Sequence, residues 1–168
     1  MARRVAPLAK IFAMITAMAD NKHTLTQEEF DSIYSKVPRL TVEIIIKDND
    51  GAVYLTQRAI EPCKGLWHLP GGTVRFGEQL VEAVKRIALR ETGIIVEQVD
   101  NKGYLEYPSH YLKGLDCPIG IVFEVTNYSG SFEPNEESTG GKWFKVIPKN
   151  MHQDQDEFLI SYSYLAKL

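Results

Sequence analysis

The chain has 168 residues, 44% of them apolar, which is enough for one domain with a substantial hydrophobic core. Its net charge of −3 and its pI near 5.8 show no basic excess of the kind found on nucleic-acid-binding surfaces, so no nucleic-acid partner is expected. The two cysteines, Cys63 and Cys117, match neither a disulfide framework nor a zinc-binding spacing, which favours a reducing, cytoplasmic compartment.

Residues 1–22 are interpreted as an N-terminal extension. Their apolar side chains recur at helical spacing, which predicts an amphipathic helix that docks on the domain or on a second copy of the chain. Two early arginines and the small residues at 17–19 are also typical of a short signal peptide, but the helical spacing favours the amphipathic helix. No apolar run reaches the length of a membrane span, so no membrane partner is expected.

Residues 23–168 are expected to form a single domain of strands and helices. A capping box at residues 26–29 predicts a short helix that Pro38 ends. Two β-rich runs follow, Leu40 to Lys47 and Ala52 to Gln57, and the turn sequence at residues 48–51 between them predicts a β-hairpin.

The central stretch, residues 65–94, joins a Pro-Gly-Gly loop to one amphipathic helix that Gly93 can stop in the left-handed conformation. A core stripe is expected on this helix, widened by Ile87 and formed by Leu80, Val81, Val84 and Ala88. Ile87, Arg90 and Glu91 share one edge of the helix, so a carboxylate on that edge could present its oxygen atoms to a magnesium ion.

The rest of the chain predicts more strands and a closing helix. Strands are expected at Ile94 to Tyr104, Pro118 to Thr126 and Lys142 to Val146, and a helix at Asp154 to Leu168. A mixed sheet with helices on both faces is the economical α/β architecture for this order of elements.

The central stretch resembles the Nudix box, the signature of the Nudix hydrolase superfamily, on the residues Gly72, Glu78, Arg86, Glu91 and Gly93-Ile94. The resemblance implies an α/β/α sandwich with a mixed sheet and a central loop-helix-loop motif. It also implies Mg²⁺-dependent hydrolysis. Two of the family's helix glutamates are replaced, by Ile87 and Arg90. One remaining helix carboxylate cannot balance the charge of several clustered ions, so a single Mg²⁺ is expected.

The flanking segments, from Leu25 to about residue 155, resemble the GDP-mannose mannosyl hydrolase branch of the superfamily, which lacks the same two glutamates. The resemblance is carried by residues 25–30, 57–58, 65–72 and 150–152. It implies a homodimer that hydrolyses a nucleoside diphosphate sugar at the sugar C–O bond, using one Mg²⁺, with Mn²⁺ as a possible substitute, and inverting the anomeric carbon.

Carried over position by position, the resemblance implies a metal site and a nucleotide site. The metal ligands would be the Gly71 carbonyl, Glu91 and Glu137. Arg58 would act in catalysis on the leaving diphosphate, and the nucleotide would be contacted by the segment that contains Thr24, Leu25 and Phe30.

The resemblance leaves two residues as candidates for the general base. The branch has a histidine where this chain has Ser138, and a serine hydroxyl has no useful basicity at neutral pH. Glu43 stands where the branch has an aspartate near the sugar, and His110 lies within one residue of another active-site histidine of the branch. Both are therefore candidate catalytic residues.

Each assignment has an ordinary structural alternative. Glu91 could be a solvated acid, Arg58 a surface arginine, and Glu137 a member of an acidic loop. His110 could stack on a base or be a plain loop residue, and His152 could lie at the surface.

Three functions therefore remain open: the glycosyl hydrolase, a pyrophosphohydrolase that attacks phosphorus, and a non-catalytic nucleotide-binding module. Arg90 disfavours the second most, because a cation at the metal-facing edge would repel further Mg²⁺ ions.

Overall fold

The structure is a computed structural model that describes residues 25–132 and 138–167. The predictions for the N-terminal helix at residues 1–22, for Thr24 and for Glu137 lie outside the described residues.

The described part contains four helices and seven strands. The helices are α1 (Gln27–Tyr34), α2 (Leu80–Thr92), α3 (Pro108–Leu112) and α4 (Gln153–Ser161). The strands are β1 (Arg39–Ile46), β2 (Val53–Arg58), β3 (Trp67–His68), β4 (Gly71–Thr73), β5 (Ile95–Glu106), β6 (Pro118–Ser129) and β7 (Ser138–Phe144). The short elements β3, β4 and α3 were not expected from the sequence.

The strands form two sheets. One is a four-stranded mixed sheet in the order β4-β1-β6-β5, in which β1 and β6 are parallel, and the other is a three-stranded antiparallel sheet in the order β3-β2-β7. The predicted hairpin of β1 and β2 is wrong, because the two strands lie in different sheets. Only Lys47 and Val53 form a bridge between them, since β1 pairs along its whole length with β6 and at residues 41–43 with β4.

The predicted turn between these strands does form. The Asp48 side chain accepts hydrogen bonds from the backbone N–H groups of Asp50 and Ala52, at 2.9 and 2.8 Å. The turn therefore redirects the chain from one sheet to the other.

Strand β1 is the centre of the core, because its side chains alternate between two buried layers. On one face Val42, Ile44 and Ile46 pack against α2. On the other face Ile45 packs with residues of β2 and α4. The four-stranded sheet thus carries helices on both faces, which confirms the α/β/α architecture.

Helix α2 buries a face centred on Val84, Ile87 and Ala88, each of which is fully buried. The expected widening of the stripe by Ile87 is confirmed, but Val81 is 39% exposed and does not belong to the core. Ala83, on the buried face, takes the place expected for Val81. Gly93 ends the helix with φ of 78°, in the predicted left-handed conformation.

An ion pair ties the middle of α2 to the loop before it. Arg86 donates two hydrogen bonds to the Glu78 carboxylate, at 2.6 and 2.8 Å, and one to the Thr73 carbonyl. Glu78 also accepts the Arg75 backbone N–H. Burial raises the pKa of Glu78, but the hydrogen bonds from Arg86 and Arg75 outweigh it, so the pKa is lowered overall. Glu78 and Arg86 therefore hold the loop against the helix.

The two terminal helices differ in how well the sequence predicts them. The Thr26 capping box is present in both directions, as predicted for α1. Helix α4 ends at Ser161 and does not continue to residue 168. Ser163 adopts φ of 59°, and Ala166 then pairs with Val146 as a β-bridge.

Candidate functional site

A cleft of about 590 Å³ opens beside the first half of β1. It is bounded by α1, the end of β2, the loop at residues 60–66, the β3–β4 segment and α3. Its polar lining includes Arg39, Glu43, Arg58, Cys63, His110 and His152. The volume lies in the range of small-molecule sites.

Glu43 is a buried carboxylate in the wall of this cleft. It fits because glycines on both neighbouring strands leave room: a Cβ at Gly71 would lie 2.3 Å from Glu43 Oε2, and one at Gly120 would lie 2.7 Å from its Cγ. Strands β4 and β6 therefore need glycine at these positions.

The pKa of Glu43 is raised to about 7, chiefly by burial and against hydrogen bonds from Tyr107 and Thr41. Thr41 Oγ1 donates to Glu43 Oε1 at 2.9 Å, and Gln155 Nε2 donates to Oε2 at 3.3 Å. A carboxyl group with a pKa near neutrality can both give and take a proton at physiological pH.

Glu91 lies on the last turn of α2, beside Gly71. It is buried, so the alternative of a solvated surface acid is wrong. The Gly71 N–H donates to Glu91 Oε2 at 3.1 Å, and Arg90 Nη2 donates to Oε1 at 2.7 Å. The predicted ligand pair, Gly71 and Glu91, is therefore adjacent in space.

The replaced position 87 is closed to solvent. Ile87 packs against Gly72, where an added Cβ would come within 3.2 Å of Ile87 Cδ1. The Glu91 carboxylate and the Gly71 carbonyl are the kinds of oxygen ligand that a hard divalent cation prefers. The Arg90 guanidinium beside Glu91 disfavours a second cation there.

Two arginines supply positive charge to the cleft. Arg58, at the end of β2, donates from Nε to the Pro62 carbonyl at 2.6 Å. Arg39 pairs with Asp116, and its guanidinium lies 5.5 Å from the centre of the Phe30 ring. Arg39 was not singled out from the sequence, because an arginine at the start of a strand carries no distinguishing pattern.

Cys63, His110 and His152 meet in the same cleft. His152 is only 5% exposed, so the surface alternative for it is wrong. Hydrogen bonds with His110 and then His152 lower the pKa of the Cys63 thiol to about 6, and the Asp116 carboxylate raises the pKa of His110 to about 9. Positions 63, 110 and 152 share no short spacing, so the sequence contains no signal for this cluster.

The remaining predicted residues differ in their relation to the cleft. Phe30 lines it from α1 of the same chain, whereas Leu25 is exposed and is not part of the lining. Ser138 pairs with Arg58 across β7 and β2. His110 lines the cleft, as does Glu43, so the structure brings both candidate bases to one site.

Within residues 25–132 and 138–167, no helix has both the length and the apolar character required to cross a bilayer.

Comparisons with known proteins agree with the fold. The family model of the NUDIX domain matches residues 37–161. The chain is 30% identical over 139 residues to the low-salt glycan biosynthesis protein Agl8 of Haloferax volcanii, covering 80% of this chain and 88% of that protein. It is 32% identical over 114 residues to an ADP-ribose pyrophosphatase of Methanocaldococcus jannaschii, covering 67% and 66%.

Among solved structures, the MutT NUDIX hydrolase of Burkholderia pseudomallei matches with a TM-score of 0.64 at 26% identity, covering 71% of this chain and 94% of that one. The chain belongs to the Nudix hydrolase family, which acts on nucleotide derivatives.

Proposed function

We propose that this protein hydrolyses a nucleoside diphosphate sugar, of the GDP-mannose type, at the sugar C–O bond. The observation that carries the proposal is the altered edge of α2, where buried Ile87 and the ion-paired Arg90 leave Glu91 as the one carboxylate of the three positions. Attack of water on phosphorus requires a cluster of metal ions, and one helix carboxylate is too few to hold that cluster. Stabilising a leaving diphosphate requires less positive charge than such a cluster supplies.

The residues that would hold one Mg²⁺ or Mn²⁺ are Glu91, the Gly71 carbonyl and Glu137. When bound, the ion would offset the negative charge that grows on the leaving diphosphate. Glu91 is already oriented by the Gly71 N–H, so its carboxylate needs little rearrangement to serve as a ligand.

The cleft also has groups suited to a nucleotide. Arg58 would bind the leaving diphosphate, since a guanidinium matches phosphate oxygens in geometry and charge. Phe30 and Tyr34, whose rings are 4.7 Å apart on α1, offer aromatic surface to a base. Leu25 and Thr24 would extend this contact, in the proposed homodimer, at the N-terminal side.

Glu43 is the stronger of the two candidate bases. Its carboxylate borders the cleft next to Gly71, and its pKa of about 7 suits the removal of a proton from water at neutral pH. His110 is less suited, because its Nδ1 is bound to Asp116 and its Nε2 faces His152. Water deprotonated by Glu43 would attack the anomeric carbon on the side opposite the leaving diphosphate, which inverts that carbon.

The similarity to Agl8, which is named for glycan biosynthesis, supports a nucleotide sugar as the substrate class. The similarity to an ADP-ribose pyrophosphatase supports the second candidate, cleavage of a nucleoside diphosphate derivative at phosphorus. The proposed nucleotide-sugar hydrolase would be a cytoplasmic homodimer.

The position of an oxygen label separates the candidates. We expect hydrolysis of GDP-mannose and related nucleotide sugars with Mg²⁺ in ¹⁸O-labelled water to put the label into the released sugar, which appears as the inverted anomer. The nucleoside diphosphate should stay unlabelled. Label in a phosphate product would overturn the proposal in favour of the pyrophosphohydrolase, and binding without turnover would overturn it in favour of a non-catalytic module.

A further inference from the structure

Three side chains from distant segments converge on one point in the cleft. Cys63 comes from the loop after β2, His110 from α3, and His152 caps the start of α4. The Nε2 atoms of the two histidines are 3.2 Å apart, and Cys63 Sγ is 4.0 Å from His110 Nε2. All three candidate ligand atoms lie within 4.8 Å of one another.

The orientation of His110 directs its Nε2 atom to this point. Its Nδ1 is 2.9 Å from Asp116 Oδ1, so in the neutral ring Nδ1 carries the proton and Nε2 is the acceptor. A histidine that donates from one ring nitrogen to a carboxylate is the usual arrangement around a protein-bound metal. Asp116 is itself held by an ion pair with Arg39, which keeps the Asp116 carboxylate in place to orient His110.

His152 is buried and aimed at the same point. Its Nδ1 has no hydrogen-bond partner among the described residues, and the nearest carboxylate oxygen recorded for it, on Asp154, is 3.9 Å away. Two imidazoles that face each other through Nε2 can share at most one proton between those atoms. A metal ion held by both Nε2 atoms would replace this contact between facing nitrogens, and Nδ1 of His152 would then carry the proton of the neutral ring.

The distances fit a tetrahedral ion. With metal–nitrogen bonds of about 2.0 Å and metal–sulfur bonds of about 2.3 Å, two ligand atoms of such an ion lie about 3.3 to 3.6 Å apart. The two observed separations of 3.2 and 4.0 Å lie on either side of that range, and all three ligand atoms lie within 4.8 Å of one another. Cys63 is held at φ of 70°, a conformation that a non-glycine residue rarely adopts.

We propose that Cys63, His110 and His152 form a transition-metal site of the zinc class, with three protein ligands and a fourth position open to the cleft. A thiolate and two imidazoles suit Zn²⁺ or Co²⁺, whereas Mg²⁺ prefers oxygen ligands such as those around Gly71. This site shares no ligand with the proposed Mg²⁺ site, and it does not depend on the proposed function. A rival use of the same residues is a metal-free thiolate that acts as a nucleophile.

Cobalt provides the test, because tetrahedral Co²⁺ bound to a thiolate has characteristic visible and near-ultraviolet bands. The metal-free full-length protein is titrated with Co²⁺ in excess Mg²⁺, which occupies oxygen sites. We expect one equivalent to bind and to show the thiolate charge-transfer band. Cys63→Ser should abolish that band, and His152→Gln should weaken Co²⁺ binding at least tenfold. Asp116→Asn should weaken it about tenfold or more, because the carboxylate orients His110.

Two matched controls define the site. Cys117→Ser should keep the band, since Cys117 is the other free cysteine, and Glu91→Gln should keep it because Glu91 belongs to the oxygen site. Zn²⁺ should also protect Cys63, but not Cys117, from alkylation, as mapped by mass spectrometry. Circular dichroism of each variant establishes that it folds.

The proposal is overturned if the wild-type protein shows no charge-transfer band, or if Cys63→Ser retains it. Rapid alkylation of Cys63 that Zn²⁺ does not slow would overturn it in favour of the metal-free thiolate. Loss of the band in Glu91→Gln would also overturn it, because the two sites would then not be separate. None of these results depends on turnover of a nucleotide sugar.

Discussion

Glu43 and Glu91 are two buried carboxylates beside one glycine, and their surroundings give them different chemistry. Glu91 accepts hydrogen bonds from the Gly71 N–H and from Arg90, which favour its charged form. Burial raises the pKa of Glu43 more than its hydrogen bonds lower it, so the pKa is about 7. A charged carboxylate suits a cation ligand, and one that titrates near neutrality suits proton transfer.

Glu91→Gln should remove most of the dependence on a divalent ion. The amide oxygen can still accept the Gly71 N–H, so the fold should persist, but the ligand charge is lost. We expect activity at saturating substrate to fall about 100-fold or more, since metal stabilisation of a leaving group contributes several kcal/mol. Activity measured against Mg²⁺ concentration checks this, and wild-type turnover in excess chelator would contradict it.

Arg58→Ala should reduce kcat more than it raises KM. The charge on the leaving diphosphate grows in the transition state, so the contact is worth more there than in the ground state. A loss on the order of 3 kcal/mol, about 100-fold in kcat, is expected. Arg58→Lys is the matched control and should recover part of the rate. An unchanged kcat in Arg58→Ala would remove this residue from the mechanism.

Elements with a strong local signal were predictable. The capping box of α1 and the glycine stop of α2 depend on neighbouring residues, and both are confirmed. The hairpin and the length of α4 were wrong because tertiary contacts decide them. Strand β1 pairs with β4 and β6 instead of β2, and α4 ends at Ser161 without a glycine or proline.

Glu78→Gln should destabilise the loop-helix element. The variant leaves the partly buried Arg86 guanidinium without its charged partner, at an expected cost of about 1–3 kcal/mol in the free energy of unfolding. Glu82→Gln is the control, because the side chains of Glu82 and its partner Lys85 are each about 40% exposed. Losing this pair should change the free energy of unfolding by less than about 0.5 kcal/mol. Urea unfolding measures both, and equal effects would contradict a structural role for the Arg86 pair.

At the scale of the whole molecule, the candidate site combines residues that the sequence marks unequally. Gly71 and Glu91 belong to one continuous stretch, and its resemblance to the Nudix box is what predicts that they lie together. Cys63, His110 and His152 are brought together only by packing of three segments around the cleft. Periodicity predicts which residues are buried, but it does not predict which buried polar groups from distant segments will meet.

One half-buried histidine, His68, should make global stability depend on pH. Burial, more than the nearby charges of Arg58 and His152, lowers the pKa of His68 to about 4, while its Nδ1 donates to the Leu69 carbonyl at 2.7 Å. In the unfolded chain the ring titrates near 6.5. Between these values the unfolded state binds more protons than the folded state, so the free energy of unfolding falls as the pH decreases from about 6.5 to about 4.

The size of this effect can be isolated with His68→Asn, whose amide can still donate toward the Leu69 carbonyl but does not titrate. Lowering the pH from 7 to 5 should reduce the free energy of unfolding of the wild-type protein by up to about 2 kcal/mol more than that of the variant. Only in the wild type does residue 68 take up a proton on unfolding. Urea denaturation of both proteins at the two pH values measures the difference. If the two proteins lose the same stability over this range, His68 is not held neutral by burial in the folded protein.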